Sequence, residues 1–380
     1  MSEAWTFPLC PQPPDYNLDW QGLVDLFDWI RAMDGCPQDP RFHAEGDVLI
    51  HTRMVCEQIV SSDAWKELDP EARSMLFSAA LFHDVAKPAC TKEEDGVITS
   101  RGHSRRGAQL AQRLLYQNLP PTGSETPFNV RQEFTRLVKW HGVPLWIWDR
   151  ESPARKAMEV SLSISCEMLA LLAEVDVMGR HCEDKKELLE RVELFRELCD
   201  ENRCLHHPMQ FASDHTRFLY FRKTGILPDY PIYDDTESEV VMMSGLPGAG
   251  KDHWVRRNLP DWPVISLDEI RNELGIDPAD SQGKVVAHGR DQAKGFLQQN
   301  QSFIWNATNV SSMMRRGLID FFSAYRARIR IVYVEPDWHE LTRRNTERAR
   351  PVPEKILLKL LDKLEVPALT EAHQVDHIPG

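Results

Sequence analysis

The spacing of apolar residues divides the chain into two unlike halves. From Asp19 to about Arg222, apolar positions recur at intervals of three and four residues, which is the period of helices packed on a core. After residue 238, helical stretches alternate with short apolar runs that predict strands at Val240–Met243, Val264–Leu267, Phe303–Trp305 and Arg330–Val334. The pattern therefore predicts an all-α N-terminal region and a C-terminal α/β region in which helices cover a parallel sheet.

The segment 223–238 separates these two patterns. It reads K-T-G-I-L-P-D-Y-P-I-Y-D-D-T-E-S and holds prolines, a glycine and acids without any period. Such a composition predicts a linker. A chain of 380 residues suffices for two domains of ordinary size. We therefore predict a first domain over residues 1–222, a linker over 223–238 and a second domain over 239–380.

Composition places the chain among globular proteins. Apolar residues make up 42% and charged residues 27%, without a low-complexity tract. The N-terminus lacks the pattern of a signal peptide, and the longest apolar helical stretch carries carboxylates, so we predict a cytoplasmic protein without a membrane partner. The eight cysteines contain no C-x-x-C pair, which favours reduced core thiols over disulfides or a zinc knuckle.

Charge is unevenly distributed along the chain. The net charge of −13 argues against a general nucleic-acid coat, but residues 239–380 balance 19 Lys and Arg against 19 Asp and Glu, so the excess acid lies N-terminal. Arginines in the C-terminal half either dock phosphates or form ion pairs on solvated helix faces. These arginines are Arg315, Arg316, Arg326, Arg328, Arg330, Arg343, Arg344, Arg348 and Arg350.

A glycine-rich segment carries the first chemical signal. Val240–Leu259 reads V-V-M-M-S-G-L-P-G-A-G-K-D-H-W-V-R-R-N-L, an apolar strand followed by a glycine-rich loop, a lysine and a helix. Such a loop turns backbone N–H groups onto a polyphosphate at a helix N-terminus, while the lysine reaches the β- and γ-phosphates. We therefore predict a site for ATP (or another nucleoside triphosphate) formed by Gly245, Gly248, Ala249, Gly250, Lys251 and Asp252.

Three polar residues near this loop have two interpretations each. Asp252 replaces the hydroxyl that normally contacts Mg²⁺, so its carboxylate either binds magnesium through water or caps the helix. Asp268 follows a predicted strand at the edge where open α/β sheets bind ligands; it can accept a proton from an acceptor hydroxyl, cap a helix, or do both. Arg271 lies on the same helix face and either contacts a phosphate or forms a surface ion pair.

The helical half holds residues suited to a metal. Imidazole combined with carboxylate favours a catalytic transition-metal ion over a closed structural zinc site, and water then becomes the nucleophile. Adjacent His83 and Asp84 flank one ion only if a helix end points at it while other helices supply the remaining ligands. The candidate metal ligands are His51, His83, Asp84, His103, His141 and Asp176.

The segments around these ligands resemble the HD phosphohydrolase superfamily, in which dispersed H…HD…D ligands hold a metal on a helical bundle. The resemblance covers most of the first 180 residues and is carried by H-A-E-G-D-V-L-I-H-T, L-F-H-D-V-A-K-P, G-H-S-R-R-G and A-E-V-D-V-M-G-R. These segments are most similar to the branch fused to CCA-adding nucleotidyltransferases, which acts on 2′-phosphates and 2′,3′-cyclic phosphates.

This resemblance implies roles for individual residues. The primary metal would be held by His51, His83, Asp84 and Asp176. A second ion, or the substrate phosphate, would be contacted by His103 and His141. His43 and Lys87 would add charge to the phosphate pocket, although their positions near helix ends explain them equally well.

The C-terminal half resembles the bacteriophage-type 5′-OH polynucleotide kinases. G-L-P-G-A-G-K, S-L-D-E-I-R, N-A-T-N followed by arginines, and L-T-R-R-N-T-E-R-A-R-P-V-P occur in the family order. In that family the last segment is a lid whose arginines grip the ATP phosphates, which implies this role for Arg344 and Arg348. The resemblance also implies that Asp268 is the general base, that Arg271 contacts the phosphate 3′ of the acceptor nucleotide, and that Thr308 lies near the nucleic acid.

Together the halves resemble the bifunctional HD-Pnk end-healing enzymes, and this resemblance covers nearly the whole chain. It implies RNA or DNA ends as substrates, with RNA preferred, and a functional link to a polynucleotide ligase. Mg²⁺ would serve the kinase, and a divalent transition metal (Mn, Ni, Co, Fe or Zn) the HD site. Two other classes stay open, namely an HD nucleotidase fused to a small-metabolite kinase and a nonenzymatic nucleotide sensor.

Overall fold

The structure, a computed structural model, describes residues 4–276, 283–348 and 351–380. The chain divides into two compact units, Met1–Met209 and Gln210–Gly380. This division precedes the predicted linker, which therefore lies within the second unit. The linker has the irregular backbone that its composition predicts, but it packs on a helix of its own unit, because Tyr230 O accepts a hydrogen bond from the Thr216 hydroxyl at 3.0 Å.

The first unit is mainly helical. Its helices are α1 (Trp20–Leu26), α2 (Asp28–Arg31), α3 (Val48–Ser61), α4 (Asp63–Lys66), α5 (Pro70–Phe82), α6 (Lys87–Cys90), α7 (His103–Tyr116), α8 (Phe128–Trp140), α9 (Val143–Trp146), α10 (Pro153–Ser161), α11 (Cys166–Met178) and α12 (Lys185–Glu201). A π-helical turn at Leu119–Gly123 and a 3₁₀ turn at Ile147–Asp149 lie between them. The sequence thus predicts the class of this unit correctly, with one exception.

The exception to the predicted all-α composition is a hairpin in which β1 (Lys92–Glu94) pairs antiparallel with β2 (Val97–Thr99). Asp95 and Gly96 connect the strands, and both have positive φ, 54° and 75°. A two-residue turn of this kind matches the right-handed twist of paired strands. The physical cause of the departure is therefore local, since Asp-Gly is a strong hairpin signal.

Two nearly enclosed helices form the centre of the first unit. Most of the residues of α5 and α11 are buried, and α3 packs against both. Each of the three begins at a side-chain cap, since Asp47, Asp69 and Ser165 accept hydrogen bonds from N–H groups of the first turn. These caps fix where the helices begin, and therefore which residues face the centre.

The second unit contains a parallel sheet with helices around it. Its strands are β3 (Ser238–Ser244), β4 (Val264–Ser266), β5 (Phe303–Asn306), β6 (Ala327–Glu335) and β7 (Gln374–Pro379). Its helices are α13 (Asp214–Tyr220), α14 (Lys251–Asn258), α15 (Leu267–Glu273), α16 (Gly283–Gln298), α17 (Ser312–Ser323), α18 (Trp338–Thr346) and α19 (Glu354–Leu361). Among the described residues, the strand order is β4-β5-β3-β6-β7, and every pair is parallel.

The sheet places β3 between β5 and β6, so the loop that follows β3 lies at its middle. All four predicted strands are present. Each carries an apolar run, as strands covered by helices require. The edge strand β7 was not predicted, because Q-V-D-H-I-P has only two aliphatic residues, breaks the alternation at its adjacent Asp and His, and ends in proline.

Arg315 is a structural residue. Its side chain is completely buried, and its Nε and Nη2 atoms donate to the Glu371 carboxylate at 2.7 and 2.9 Å. Its Nη1 donates to Asn309 O at 2.9 Å. Arg315 therefore fits neither interpretation of the C-terminal arginines, because its ion pair is buried and joins α17 to a residue outside that helix. Arg350 lies outside the described residues.

Candidate active sites

The loop between β3 and α14 has the backbone of a phosphate cradle. Gly245, Gly248 and Gly250 have φ of 141°, 84° and 102°, the positive values that the sequence predicts. A Cβ at Gly245 would lie 2.4 Å from Val334 O, and one at Gly250 would lie 3.1 Å from Arg344 Nη1. Only glycine therefore fits here, and the loop suits a ligand approached by backbone N–H groups.

Lys251 is anchored inside this loop. Its Nζ donates to Gly245 O and Leu246 O, each at 3.0 Å, and the side chain is partly buried. Burial lowers the pKa of Lys251 to about 8, while the carboxylates of Asp252 and Asp268 act to raise it. Lys251 and the two carboxylates therefore share one electrostatic environment at the mouth of the loop.

The carboxylate of Asp252 is held from a neighbouring strand. Asn306, the last residue of β5, donates from Nδ2 to Asp252 Oδ1 at 2.6 Å. The N-cap of α14 is Gly250, in the left-handed conformation, so Asp252 lies inside the first turn and is not the cap residue. Asn306 belongs to the N-A-T-N motif, but it was not among the predicted site residues.

Asp268 and Arg271 lie in the first and last turns of α15, directly after β4. The N-cap of α15 is Ser266, whose hydroxyl accepts from Glu269 N–H at 3.3 Å, so the capping role considered for Asp268 belongs to Ser266. Arg271 Nη1 pairs with Asp268 Oδ1 at 2.5 Å. The ion pair considered for Arg271 therefore exists. Asp268 lies just after the carboxyl end of β4, and open α/β sheets bind ligands at that edge.

The other candidate residues of this unit border the same loop. Thr308 O accepts from Gly245 N–H at 2.9 Å, which joins the segment after β5 to the cradle. Arg344 Nη1 donates to Ala249 O at 3.3 Å. Arg348 is exposed after α18, and its charge acts to lower the pKa of Lys251. The predicted site residues of the second unit are thus brought together, and lid residues 349–350 lie outside the described residues.

A second cluster occupies the centre of the first unit, where four histidines turn the same nitrogen inward. In three of them the other nitrogen, Nδ1, contacts the backbone carbonyl three residues earlier. The distances are 2.7 Å for His83 and Ala80 O, 2.8 Å for His103 and Ser100 O, and 2.8 Å for His141 and Val138 O. In His51, Nδ1 lies 2.9 Å from Glu45 Oε1. The carbonyl contacts fix the tautomers of His83, His103 and His141 and leave Nε2 as the ligand atom, whereas Nδ1 of His51 only faces the Glu45 carboxylate.

The four residues proposed for the primary metal converge. His51 Nε2 lies 3.1 Å from Asp176 Oδ1 and 3.2 Å from His83 Nε2. His83 Nε2 lies 3.2 Å from Asp84 Oδ2. These residues come from α3, the end of α5 and α11, which is the helix-end arrangement that adjacent His83 and Asp84 need in order to face one point.

Asp84 connects this group to a second one. Its Oδ1 lies 3.3 Å from His103 Nε2, which is 3.3 Å from His141 Nε2. One carboxylate oxygen thus faces His51 and His83, and the other faces His103 and His141. The donor set of imidazole nitrogens and carboxylate oxygens fits one or two divalent transition-metal ions.

Most pKa shifts in this cluster favour neutral imidazoles and an ionised carboxylate, which are the forms that bind metal ions. Burial lowers the pKa of His141 to about 3 and also lowers that of His103. Burial acts to raise the pKa of Asp84, but the Lys87 ammonium and His83 hold it well below its ordinary value. Neutral imidazoles beside an ionised carboxylate are what a divalent cation requires. His83 differs, because the Asp84 carboxylate outweighs burial and raises its pKa.

Several residues of this site were missed from the sequence. Glu45 accepts from His43 Nδ1 at 2.8 Å and from His181 N–H at 2.9 Å, besides facing His51. Arg180 pairs with Asp176 one helical turn away. The spacing of Asp176 and Arg180 in A-E-V-D-V-M-G-R is the signal that could have revealed that pair.

Lys87 and His43 lie beside the cluster. Lys87 Nζ lies 2.6 Å from Asp84 Oδ2 and donates to Gln38 Oε1 at 2.6 Å. The His43 ring lies edge-on to His51, with ring centroids 4.6 Å apart, and burial lowers the pKa of His43 to about 4. Gln38 is a further residue that the sequence did not single out.

The fold and the glycine loop of the second unit define a P-loop domain of the kinase type, which implies ATP and Mg²⁺. A family model described as "AAA domain" matches residues 240–367. Two solved structures resemble the chain at low similarity. A putative kinase from Chloroflexus aurantiacus has a TM-score of 0.32 and 14% identity over 38% of this chain and 89% of its own. A sugar kinase from Janibacter has a TM-score of 0.30 and 15% identity over 37% and 85%.

Curated relatives match about a third of this chain. The Multifunctional CCA protein of Methylococcus capsulatus is 34% identical over 125 residues, or 33% of this chain and 26% of the relative. That of Thioalkalivibrio sulfidiphilus is 30% identical over 126 residues, with the same coverage. Human heterogeneous nuclear ribonucleoprotein U-like protein 2 is 28% identical over 149 residues, 34% of this chain and 20% of its own. The chain thus spans 20% to 26% of the length of these relatives.

Membrane-spanning helices were also considered. Within residues 4–276, 283–348 and 351–380, every helix is too short or too polar to cross a bilayer.

Proposed function

We propose that this protein heals broken nucleic-acid ends. The second unit phosphorylates 5′-OH ends with ATP, and the first hydrolyses 2′,3′-cyclic, 2′- or 3′-phosphate ends with a divalent metal. The observation that carries the proposal is the convergence of imidazole Nε2 atoms on the Asp84 carboxylate, in a chain that also holds a glycine cradle with an anchored lysine. One chain therefore has residues for both phosphoester hydrolysis and phosphoryl transfer.

In the kinase unit, each residue has a distinct task. ATP supplies the γ-phosphoryl group, and Mg²⁺ offsets its charge. Lys251 and the arginines Arg344 and Arg348 balance the negative charge on the phosphates. Asp268 accepts the proton of the 5′-hydroxyl as the new bond forms. Arg271, paired with Asp268 in the structure, contacts the phosphate 3′ of the acceptor nucleotide.

In the first unit, the residues prepare a phosphoester for attack by water. His51, His83, Asp84 and Asp176 would hold a divalent transition metal, which would supply a water of lowered pKa as the nucleophile. Lys87 and His43 line the pocket and orient the phosphate. His103 and His141 hold a second ion or contact the phosphate. Asp84 contributes one oxygen to the side of His51 and His83 and the other to the side of His103 and His141.

The chemistry of RNA scission explains why both reactions occur in one chain. Attack by the 2′-hydroxyl leaves a 2′,3′-cyclic phosphate on one fragment and a 5′-hydroxyl on the other. Neither end is a substrate for a conventional polynucleotide ligase, whereas a 3′-hydroxyl and a 5′-phosphate are. RNA is therefore the preferred substrate, and a ligase is the functional partner.

One assay tests the proposal directly. An RNA with a 5′-OH and a 2′,3′-cyclic phosphate is offered with ATP and a panel of Mg²⁺, Mn²⁺, Ni²⁺, Co²⁺, Fe²⁺ and Zn²⁺. We expect a 5′-phosphate and loss of the cyclic phosphate, with a matched DNA as comparison. Phosphorylation of free sugars or plain nucleosides as efficiently as RNA would replace the proposal with a metabolite kinase. ATP binding without either reaction would indicate a nucleotide sensor.

The role of Arg271 gives a sharper test of the acceptor class. A nucleoside 3′-monophosphate is expected to be a far better acceptor than the plain nucleoside, and Arg271→Ala removes this preference. Loss of a charge-assisted contact costs about 1.5 to 3 kcal/mol, or roughly ten- to more than a hundredfold in kcat/KM. Arg257→Ala is the matched control, because Arg257 is exposed in the last turn of α14. Asp268→Asn, by contrast, lowers turnover on every acceptor.

The Asp252–Asn306 contact predicts how the kinase depends on magnesium. If Asn306 orients Asp252 toward Mg²⁺, Asn306→Ala raises the Mg²⁺ concentration needed for tight ATP binding by roughly ten- to a hundredfold, the usual cost of losing an outer-shell partner. Asp252→Ala does the same, and Asp252→Ser partly restores binding. Calorimetric ATP binding at several Mg²⁺ concentrations, beside melting curves, measures this. Unchanged Mg²⁺ dependence in a folded Asp252→Ala would exclude the ligand role.

A further inference from the structure

Three cysteines of the first unit meet in its interior, away from the imidazole cluster. Cys166 begins α11, Cys199 lies near the end of α12, and Cys204 follows in the next loop. Each is completely buried, and the three Sγ atoms lie within 4.8 Å of one another. The sequence predicts scattered core thiols because no C-x-x-C pair occurs. The packing of α11 against α12 instead brings them together.

Backbone structure fixes the positions of the three sulfurs. Cys166 is the first residue of the 13-residue helix α11, and Cys199 lies within the 17-residue helix α12. The backbone N–H of Cys204 donates to Cys199 O at 2.8 Å, which fixes the loop that presents the third sulfur.

The sulfur atoms are close to metal-binding geometry. Thiolates bound tetrahedrally at about 2.3 Å to one zinc ion lie roughly 3.8 Å apart. Side-chain adjustments on the order of 1 Å or less therefore bring the three sulfurs onto a single ion. Thiolate sulfur is a soft ligand, whereas the nitrogen and oxygen donors around Asp84 are harder ligands. The two clusters therefore prefer different metal ions.

We propose that Cys166, Cys199 and Cys204 bind one soft, thiophilic metal ion, Zn²⁺ or Cu⁺, at a structural site. Binding releases the protons of the thiols to solvent and changes no oxidation state. The site fastens the start of α11 to α12. Asp176 lies on the same helix, about 15 Å away at 1.5 Å per residue, so the ion would hold the helix that presents this active-site carboxylate.

Cadmium is the probe that tests this proposal in the full-length chain. Cadmium bound to thiolate gives a sulfur-to-metal charge-transfer band in the ultraviolet, which nitrogen and oxygen ligands do not give. Titration of reduced, metal-free wild type is expected to saturate this band at one equivalent, and Cys199→Ser to remove most of it. Cys56→Ser is the matched control, because Cys56 is equally buried on α3 but outside the cluster.

Competition then identifies the ion. In Asp84→Ala protein, retention of one equivalent of Zn²⁺ against a competing chelator assigns a zinc site, and retention of Cu⁺ alone assigns a copper site. Retention of neither ion, absence of the cadmium band in wild type, or an undiminished band in Cys199→Ser overturns the proposal. So does a disulfide among the three cysteines in wild type prepared without reductant.

A second measurement avoids dependence on cysteine variants that fail to fold. X-ray absorption is recorded on zinc-loaded Asp84→Ala protein, in which all three cysteines are intact and the carboxylate shared by the two imidazole groups is absent. Sulfur neighbours at about 2.3 Å are expected. A zinc spectrum with nitrogen and oxygen neighbours alone contradicts the proposal, whatever the activity of the protein.

Discussion

Lys251→Ala is expected to abolish 5′ phosphorylation while leaving phosphoesterase activity near wild type. The Lys251 ammonium is held inside the cradle by two carbonyl oxygens, where it meets the transferring phosphates. Removing one preorganised charge of this kind costs on the order of a hundred- to a thousandfold in kcat. Transfer of radiolabelled γ-phosphate to a 5′-OH oligonucleotide measures the loss, and release of phosphate from a 2′-phosphate end measures the retained activity.

A matched lysine variant separates this effect from a general loss of charge. Lys294 is exposed on α16 of the same unit, so Lys294→Ala is expected to retain both activities. A folded Lys251→Ala protein that loses both reactions would contradict the assignment of the two activities to separate sites. Retention of phosphorylation by Lys251→Ala would show that the lysine of the P-loop is not needed for the reaction.

The second large effect is expected in Asp84→Ala, which should lose phosphoesterase activity and retain the kinase. One oxygen of Asp84 faces His51 and His83, and the other faces His103 and His141, so the substitution affects both groups of ligands. Calorimetric titration with Mn²⁺ should show the loss of binding. Asp84→Asn preserves the volume of the side chain and should fail in the same way, because the missing property is charge.

Glu45→Gln provides a graded comparison. Glu45 faces Nδ1 of His51 and accepts from His43, so the change should weaken metal binding by roughly ten- to a hundredfold without abolishing it. Asp63→Ala is the neutral control, because its side chain is 95% exposed on α4. Normal hydrolysis by a folded Asp84→Ala protein would show that the imidazole cluster is not needed for the reaction. Equal losses of metal binding in Glu45→Gln and Asp84→Ala would contradict the different roles assigned to these two residues.

The P-loop could be predicted from the sequence because its determinants are local. Positive φ at Gly245, Gly248 and Gly250 follows from the loop itself, and the strand before it is a continuous apolar run. The same reasoning found the other covered strands. It failed at β7, whose pairing with β6 depends on residues distant in the chain.

The histidine cluster could be predicted only in part. The set of candidate ligands followed from residue type and from resemblance, but the convergence of their Nε2 atoms depends on how α3, α5 and α11 pack against one another. Glu45 and Gln38 were missed because their roles arise from side-chain contacts between elements. The cysteine cluster was missed for a similar reason, since Cys166 is far from Cys199 and Cys204 in sequence.

The contact between Asp252 and Asn306 constrains how this sequence can evolve. Serine at position 252 would be too short to receive the Asn306 amide, which would leave a buried donor without its acceptor. The penalty for either single substitution therefore depends on the residue at the other position, which is epistasis between the helix after the cradle and the end of β5. The double substitution Asp252→Ser with Asn306→Ala is therefore expected to cost less stability than the sum of the two single changes, which a double-mutant cycle measures.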